Sequence, residues 1–224
     1  MIELAALDMA GTTIDEGGAV YRALHDAVAA EGVDVSDDMV QRWMGTDKRE
    51  AMIGLTVEAG HPQPSTDDVE RMFVRFREQL AKAYADEPPT PIPGAVEAFA
   101  ALRAAGTRVA LTTGFSQDVV DPLLASLGWI TGVVDAVVCT DDVPTGRPAP
   151  FLVFRAMERT GVTDVRRVLV AGDTAVDLRS GMNAGAAAVV GVGTGKLGLD
   201  GLRTEPHTHL VDSVADLPAL VARL

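Results

Sequence analysis

The sequence predicts an α/β protein in which a helical insertion interrupts a parallel sheet covered by helices on both faces. Three observations carry this prediction. An apolar run ends in an acid at residue 8, no strand pattern occurs between residues 17 and 86, and helix and strand patterns alternate from residue 95 onward. Such alternation is typical of parallel sheets with crossover helices. We therefore expect a Rossmann-like doubly wound parallel core with an inserted all-helical cap domain.

The first predicted strand contains Ile2 and residues 4–7 and ends at Asp8, which small, turn-forming residues follow. Ligands of open α/β sheets bind beyond the carboxyl ends of the strands. Asp8 is therefore a candidate nucleophile or metal ligand, and the N–H groups of residues 11–13 are candidate donors to phosphate oxygens. An aspartate that only opens a turn explains these residues, taken alone, equally well.

The inserted segment has helical apolar spacing from Tyr21 to about Gly60, and Asp67-Asp68 is predicted to open a further long helix. The proline-rich residues 87–94 cannot continue that helix, because proline lacks the N–H group and restricts the residue before it. We interpret this proline-rich segment as a stiff hinge or linker.

The domain boundaries follow from these patterns: residues 1–16 and 88–224 are predicted to form the core, and residues 17–87 the cap. Helices are expected in the second half at residues 95–105, 118–127, 151–159, 177–184 and 214–224. Strands are expected there at residues 108–111, 133–139, 168–171, 187–192 and 209–211.

Composition limits the classes of partner. The chain has 224 residues, 47% of them hydrophobic, so it can bury a sizeable core. Its formal net charge of −13 disfavours nucleic acid and anionic membranes, which the chain would repel. The single cysteine, Cys139, lies in an apolar run and is predicted to be a core thiol. We expect a soluble cytoplasmic protein, because no signal-peptide pattern and no apolar run of membrane-spanning length occurs.

Polar groups follow the other predicted strands as well. Thr112-Thr113-Gly114 follows the second, Arg147 lies beyond the third, and Asp173 and Asp177 follow the fourth, so all are expected to converge on Asp8. Hydroxyl and glycine N–H groups bind phosphoryl oxygens, and arginine supplies a fixed cation. Clustered carboxylates suit Mg²⁺, which offsets their mutual repulsion. A helix cap is the alternative interpretation of Asp173 alone.

These residues resemble the haloacid dehalogenase-like superfamily and, within it, the phosphonatase (phosphonoacetaldehyde hydrolase) branch. The segments that carry the resemblance are residues 8–12, 112–114, 141–148, 172–174 with Asp177, and 183–185. The resemblance implies that Asp8 is a nucleophile that forms an aspartyl-phosphate. It also implies Mg²⁺ held by Asp8, the Ala10 carbonyl and Asp173, with Asp177 in support. The phosphate-binding residues it implies are Gly11, Thr12, Thr113, Gly114 and Arg147.

Ala10 separates this chain from ordinary phosphatases of the superfamily, which typically carry an aspartate two residues after the nucleophile. Alanine cannot protonate a leaving group, and the loss of general acid–base catalysis costs roughly 10²–10⁴ in rate. The sequence therefore predicts either an impaired enzyme or a leaving group that is activated in another way.

Lys48 is the candidate for activating the leaving group in place of the missing acid. The segment Met44-Gly45-Thr46-Asp47-Lys48 is similar to the branch motif Met-Gly-x-x-Lys, which supplies a Schiff-base lysine, and Met44 is expected to bind substrate. An imine of this amine with an aldehyde would withdraw electrons from a breaking P–C bond. Near Mg²⁺ and Arg147 a buried amine is expected to have a lowered pKa. The alternative is a solvated lysine on an amphipathic helix.

Three departures from the branch leave the substrate open. The branch usually has tryptophan at Met9, histidine at Ala51 and tyrosine at Phe115. His25 and His61 are the histidines of the cap that could compensate, although each is more often a surface residue.

The leading functional prediction is a Mg²⁺-dependent phosphonatase-like hydrolase of a small-molecule phosphonate. The alternatives are a phosphatase for an unidentified phosphate ester and a catalytically weak binding protein that keeps the metal pocket. The resemblance also implies a homodimer joined through the cap, where Trp43 and Met39 are expected to be exposed.

Overall fold

The computed structural model describes residues 1–224 and confirms the predicted fold class. The strands are β1 (Leu4–Asp8), β2 (Ile14–Asp15), β3 (Thr90–Pro91), β4 (Arg108–Thr112), β5 (Ala136–Val138), β6 (Val168–Gly172), β7 (Ala188–Val192) and β8 (His209–Val211). The helices are α1 (Ala19–Ala29), α2 (Asp37–Arg42), α3 (Lys48–Glu58), α4 (Thr66–Asp86), α5 (Ala95–Ala104), α6 (Gln117–Leu127), α7 (Phe151–Thr160), α8 (Ala175–Ala184), α9 (Gly198–Leu202) and α10 (Leu217–Val221).

Six strands form one parallel sheet in the order β5-β4-β1-β6-β7-β8. The central strand β1 is buried along its whole length, and its side chains alternate between two hydrophobic clusters. Ala5 and Leu7 belong to one cluster, and Leu4 and Ala6 to the other, because successive side chains of a strand point to opposite faces. Both faces of the sheet are therefore covered, and β1 delivers Asp8 to the carboxyl edge.

The insertion consists of α1 to α4, which lie between β1 and β4 along the chain. The two connections to the sheet run side by side, because Ile14 pairs with Pro91 and Asp15 pairs with Thr90 in an antiparallel ribbon. One strand of this ribbon, β3, lies within the proline-rich segment that we predicted as a hinge or linker. The division into a core and a cap domain at residues 16–17 and 87–88 stays a prediction.

The long helix α4 begins one residue before the predicted Asp67-Asp68 start. Ser65 is its N-cap, and the Ser65 and Asp68 side chains each bond to the other's backbone N–H, which satisfies two unpaired donors of the first turn. One hydrophobic cluster contains Leu24 of α1, Phe76 of α4 and Leu7 of β1, so the insertion and the sheet share a continuous hydrophobic core.

Trp43 and Met39 are not exposed as predicted but half-buried against the hydrophobic cluster. The Trp43 indole donates a hydrogen bond to Glu58 Oε2 at 3.0 Å, and its ring occupies the space where Gly54 lacks a side chain. The homodimer therefore stays a prediction, and the exposure of Trp43 and Met39 no longer supports it.

The Cys139 thiol is buried, as predicted, and burial raises its pKa to about 12. A thiol that stays protonated at neutral pH is a poor nucleophile and metal ligand. No helix of the structure combines the length and the apolar composition that crossing a bilayer requires.

Candidate active site

The polar groups that follow β1, β4, β5 and β6 meet at one edge of the sheet, because the carboxyl ends of parallel strands lie together. The Arg147 guanidinium links them. Its Nη1 donates to Asp8 Oδ1 at 2.6 Å, and its Nη2 donates to the Thr112 carbonyl at 2.9 Å and to the Thr112 hydroxyl at 2.7 Å. The predicted convergence of these groups on Asp8 is thus present in the geometry.

Three buried carboxylates surround this arginine. One oxygen of each of Asp8, Asp173 and Asp177 lies within 4.8 Å of the others, a spacing that could hold a metal ion. The Thr12 hydroxyl donates to Asp173 Oδ1 at 2.7 Å and fixes the orientation of that carboxylate. Gly11 and Thr12 therefore lie against Asp173.

Asp177 is held at the start of α8. Its Oδ2 accepts from the Thr174 N–H at 3.0 Å and from the Thr174 hydroxyl at 2.5 Å, which is a reciprocal helix cap. Its Oδ1 lies 2.8 Å from Arg147 Nη1 but outside hydrogen-bond geometry, so the contact is an ion pair without a directed hydrogen bond. One buried carboxylate oxygen thus remains available to a further ligand.

The carboxylates repel each other in a site that water cannot screen. Burial, followed by the charge of Asp177, raises the pKa of Asp8 to about 7 against the opposing effect of Arg147. Burial and the charges of Asp8 and Asp177 raise the pKa of Asp173 well above its usual value. Clustered carboxylate oxygens are the ligands that Mg²⁺ prefers, and a divalent cation would remove this repulsion. The donor set fits such an ion.

Two glycines, Gly11 and Gly195, leave the space that the Asp173 carboxylate occupies. A Cβ on Gly11 would lie 2.5 Å from Asp173 Oδ2, and a Cβ on Gly195 would overlap the same carboxylate. The Thr194 hydroxyl donates to the Gly11 carbonyl at 2.6 Å and holds the two loops together. No sequence pattern indicates a role for Gly195, because a glycine in a loop has many explanations.

A pocket opens beside this cluster, with a free volume of about 10 Å³, enough for one water molecule. Its lining residues are Asp8, Ala10, Tyr21, Gly45, Lys48, Thr113, Gly114, Phe115, Arg147 and Thr174. Most of the predicted site residues therefore share one pocket. Met44 does not, because it is buried and lines a separate cleft beside α2 and α8.

Lys48 is 3% exposed, so it is not a solvated surface residue. It begins α3, where its Nζ donates to the Thr46 carbonyl at 2.7 Å and lies 5.4 Å from the centroid of the Phe115 ring. Burial lowers its pKa from 10.5 to about 8; Asp47 and Asp8 oppose this change, and Arg147 adds to it. The lowered pKa agrees in direction with the expectation from the sequence.

The loop before Lys48 touches the core through backbone atoms. A Cβ on Gly114 would lie 2.6 Å from the Thr46 carbonyl oxygen and 2.7 Å from that of Gly45. Gly45 in turn has φ +77° and lies against the side chains of Thr174 and Val176. Glycine at both positions lets the insertion close over the pocket.

No histidine lines the pocket. Ala51, where the branch usually has histidine, is fully buried in the hydrophobic cluster. His25 lies in a neighbouring cleft with its Nδ1 2.9 Å from Asp26 Oδ1, and His61 is exposed. Tyr21 does line the pocket, and sequence reasoning missed it, because its spacing on α1 looks like that of any residue beside the core.

Residues 2–185 match the haloacid dehalogenase-like hydrolase family. This chain belongs to that family. The match confirms the predicted superfamily, whose members generally use a divalent metal, and it implies a small-molecule phosphate or phosphonate substrate.

Relatives of known name narrow the resemblance. The phosphonoacetaldehyde hydrolase of Bacillus cereus is 30% identical over 225 residues, which cover 95% of this chain and 83% of the relative. The phosphonoacetaldehyde hydrolase of Bacillus thuringiensis (strain Al Hakam) is 30% identical over 210 residues, which cover 88% and 79% of the two chains. These matches confirm the predicted similarity to the phosphonatase branch.

Solved structures of other proteins have the same fold as this chain. A hydrolase from Pseudomonas syringae has a TM-score of 0.87 at 21% identity over 99% of both chains, which shows the shared fold. A phosphonoacetaldehyde hydrolase-like protein from Oleispira antarctica has a TM-score of 0.82 at 25% identity, over 99% of this chain and 92% of the other.

Proposed function

We propose that this hydrolase cleaves the P–C bond of phosphonoacetaldehyde or a related carbonyl phosphonate. One observation carries the proposal: the buried amine of Lys48 lines the same pocket as Asp8 and Ala10, so an imine-forming group is present where a general acid is not. The 30% identity to phosphonoacetaldehyde hydrolases supports the same substrate class.

The phosphoryl end of the substrate lies against the core. Arg147 supplies a buried cation, and the Thr113 hydroxyl, which accepts from the Phe115 N–H at 3.1 Å, keeps its own proton for donation to a phosphoryl oxygen. A magnesium ion held by Asp8, Asp173 and the Ala10 carbonyl, with Asp177 in support, would offset the charge of the nucleophile and the phosphoryl oxygens.

Lys48 activates the carbon leaving group. In its neutral form Nζ attacks the carbonyl carbon. The addition product then takes back the proton that the ammonium had released and loses water, which gives a protonated imine. A pKa of about 8 keeps about a tenth of the amine neutral at pH 7, far more than an ordinary lysine would. Burial of the amine thus serves the first chemical step.

Asp8 then attacks phosphorus. The P–C electron pair moves into the protonated imine and leaves an enamine on Lys48, while the phosphoryl group becomes an aspartyl-phosphate on Asp8. Protonation of the enamine carbon and addition of water release the aldehyde, and a second water releases phosphate. No step requires an acid at position 10, which agrees with Ala10.

Phosphate release from phosphonoacetaldehyde tests the proposal, with Mg²⁺ present and with Lys48→Arg beside the wild type. Arginine keeps the positive charge but forms no imine, so we expect activity to fall at least about 10³-fold, as for other covalent catalytic groups. Lys82→Arg is the matched control, because Lys82 is exposed on α4, and it should retain wild-type activity.

Equal rates in the wild type and Lys48→Arg would contradict the imine step. Faster turnover of phosphate esters than of any phosphonate would favour the phosphatase alternative. Ligand-induced stabilisation without release of phosphate from either class would favour a binding protein.

A further inference from the structure

Tyr21 lies where two cavities meet. From α1 it lines the small pocket that contains Asp8 and Lys48. It also lines a larger outer cleft of about 430 Å³ beside Arg22 and Lys196. It is the one residue that both cavities share, so its ring stands between solvent and the reacting groups.

The pocket divides its polar groups between core and insertion. The core contributes Asp8, Thr113 and Arg147, which suit a phosphoryl group and its nucleophile. The insertion contributes only two polar side chains, those of Tyr21 and Lys48. A substrate whose phosphorus faces Asp8 must therefore present its other end to these two side chains.

The Tyr21 hydroxyl is free to bind that end. It has no hydrogen-bond partner within the protein, whereas the Lys48 amine is already oriented by the Thr46 carbonyl at 2.7 Å. Burial and the nearby charges of Asp173 and Asp8 raise the pKa of the Tyr21 phenol well above its usual value. The phenol therefore keeps its proton at neutral pH and presents an O–H donor.

We propose that the Tyr21 hydroxyl donates a hydrogen bond to the carbonyl oxygen of the substrate and orients that carbonyl for attack by Lys48. The assignment rests on the proposed imine chemistry. During attack the N–C bond forms and the C=O π pair moves onto oxygen, where a fixed donor stabilises the developing charge.

The step balances without consuming the tyrosine proton. The Lys48 ammonium and the aldehyde give a protonated imine and one water molecule. Two of the three ammonium protons leave with the carbonyl oxygen, and one stays on the imine nitrogen. Tyr21 thus binds and orients the carbonyl in each turnover but is not changed by the reaction.

The test compares Tyr21→Phe with Tyr84→Phe in the magnesium-loaded enzyme. The chain has two tyrosines, and Tyr84 has a buried, unpartnered hydroxyl outside the pocket, which makes it a matched control. We expect Tyr21→Phe to lower kcat for phosphonoacetaldehyde and the rate of borohydride trapping at Lys48 by about 10²-fold, as for loss of one oxyanion donor. Inhibition by inorganic phosphate and the melting temperature should stay as in the wild type, because the core holds the phosphoryl group and the ring is kept.

Wild-type kcat and trapping in Tyr21→Phe, or equal losses in Tyr84→Phe, would overturn the assignment. So would a loss of phosphate binding in Tyr21→Phe as large as the loss of kcat, because that result indicates a structural role. If the wild type releases no phosphate from phosphonoacetaldehyde, the proposed function fails and this assignment with it. If the wild type is active and Tyr21→Phe equals it, only the assignment fails.

Discussion

Lys48 carries its amine in a position where water cannot stabilise the positive charge. The pKa of this amine falls from 10.5 in the unfolded chain to about 8 in the folded protein, mainly through burial. Below pH 8 both states are protonated, and the folded state pays the full cost of the buried charge. Between pH 8 and 10.5 the folded state releases its proton first, so stability rises with pH.

Lys48→Met should therefore stabilise the protein. We expect the free energy of unfolding at pH 7 to rise by up to about 3 kcal/mol, the equivalent of the pKa difference. The gain should shrink as pH rises from 8 to 10.5 and vanish above 10.5, where lysine is neutral in both states. Urea unfolding at several pH values measures this, with the exposed Lys82→Met as control, expected within about 0.5 kcal/mol of wild type. A pH-independent effect of Lys48→Met would contradict this interpretation.

Ala10 is the second residue that sets the chemistry. It is half-buried at the pocket, so an aspartate placed there would face the leaving group of a phosphate ester. We expect Ala10→Asp to raise the hydrolysis of an alkyl phosphate by about 10²-fold, because an alkoxide needs a proton to depart. A nitrophenyl phosphate, whose leaving group needs none, is the internal control and should change little. Equal gains for both esters would show that the aspartate acts in some way other than as a general acid.

At the scale of elements, the positions of the strand ends were predictable from the sequence. How the inserted helices pack over those strand ends was not. Apolar runs mark β1, β4 and β6, and parallel strands must bring the residues that follow them to one edge. The ribbon of β2 and β3 was missed, because two-residue strands have no periodicity to detect. The role of Tyr21 was missed as well, because only the packing of α1 in the folded protein shows that this residue lines the pocket.

The contact between Gly114 and the loop before Lys48 offers a test of how the insertion packs on the core. Gly114 has no positive φ, so Gly114→Ala adds a methyl group without backbone strain. The methyl group would lie 2.6 Å from the Thr46 carbonyl oxygen and must displace the loop by about 1 Å, and a misplacement of that size can cost about 10²-fold in rate.

We therefore expect Gly114→Ala to lower kcat/KM by about 10²-fold, measured well below the unfolding transition. The melting temperature should fall as well, because the added methyl group meets backbone atoms and not the end of a flexible side chain. Gly201→Ala is the control, because its added methyl group meets only the Leu197 side chain, and it should keep wild-type activity. Full activity in Gly114→Ala would show that closure of this loop does not position Lys48.

At the scale of the whole molecule, the pocket combines side chains from the helical insertion with side chains that follow the strands of the sheet. The sheet positions Asp8, Arg147 and the acids of β6 and α8, and these residues were predictable from the order of motifs along the chain. The insertion brings Lys48 and Tyr21 over them and leaves about 10 Å³ of free space in the pocket. No sequence pattern gives this closed arrangement, because it depends on contacts between distant segments such as Gly45 and Thr174.

Imine formation at Lys48 is the central claim, and borohydride trapping tests it most directly. The enzyme is incubated with phosphonoacetaldehyde and borohydride, and its peptides are mapped by mass spectrometry. The account predicts a reduced two-carbon adduct on the peptide that contains Lys48 and a loss of wild-type activity in proportion to the adduct, and it predicts no adduct in Lys48→Arg. Retained activity without an adduct, or an equal adduct in Lys48→Arg, would contradict it.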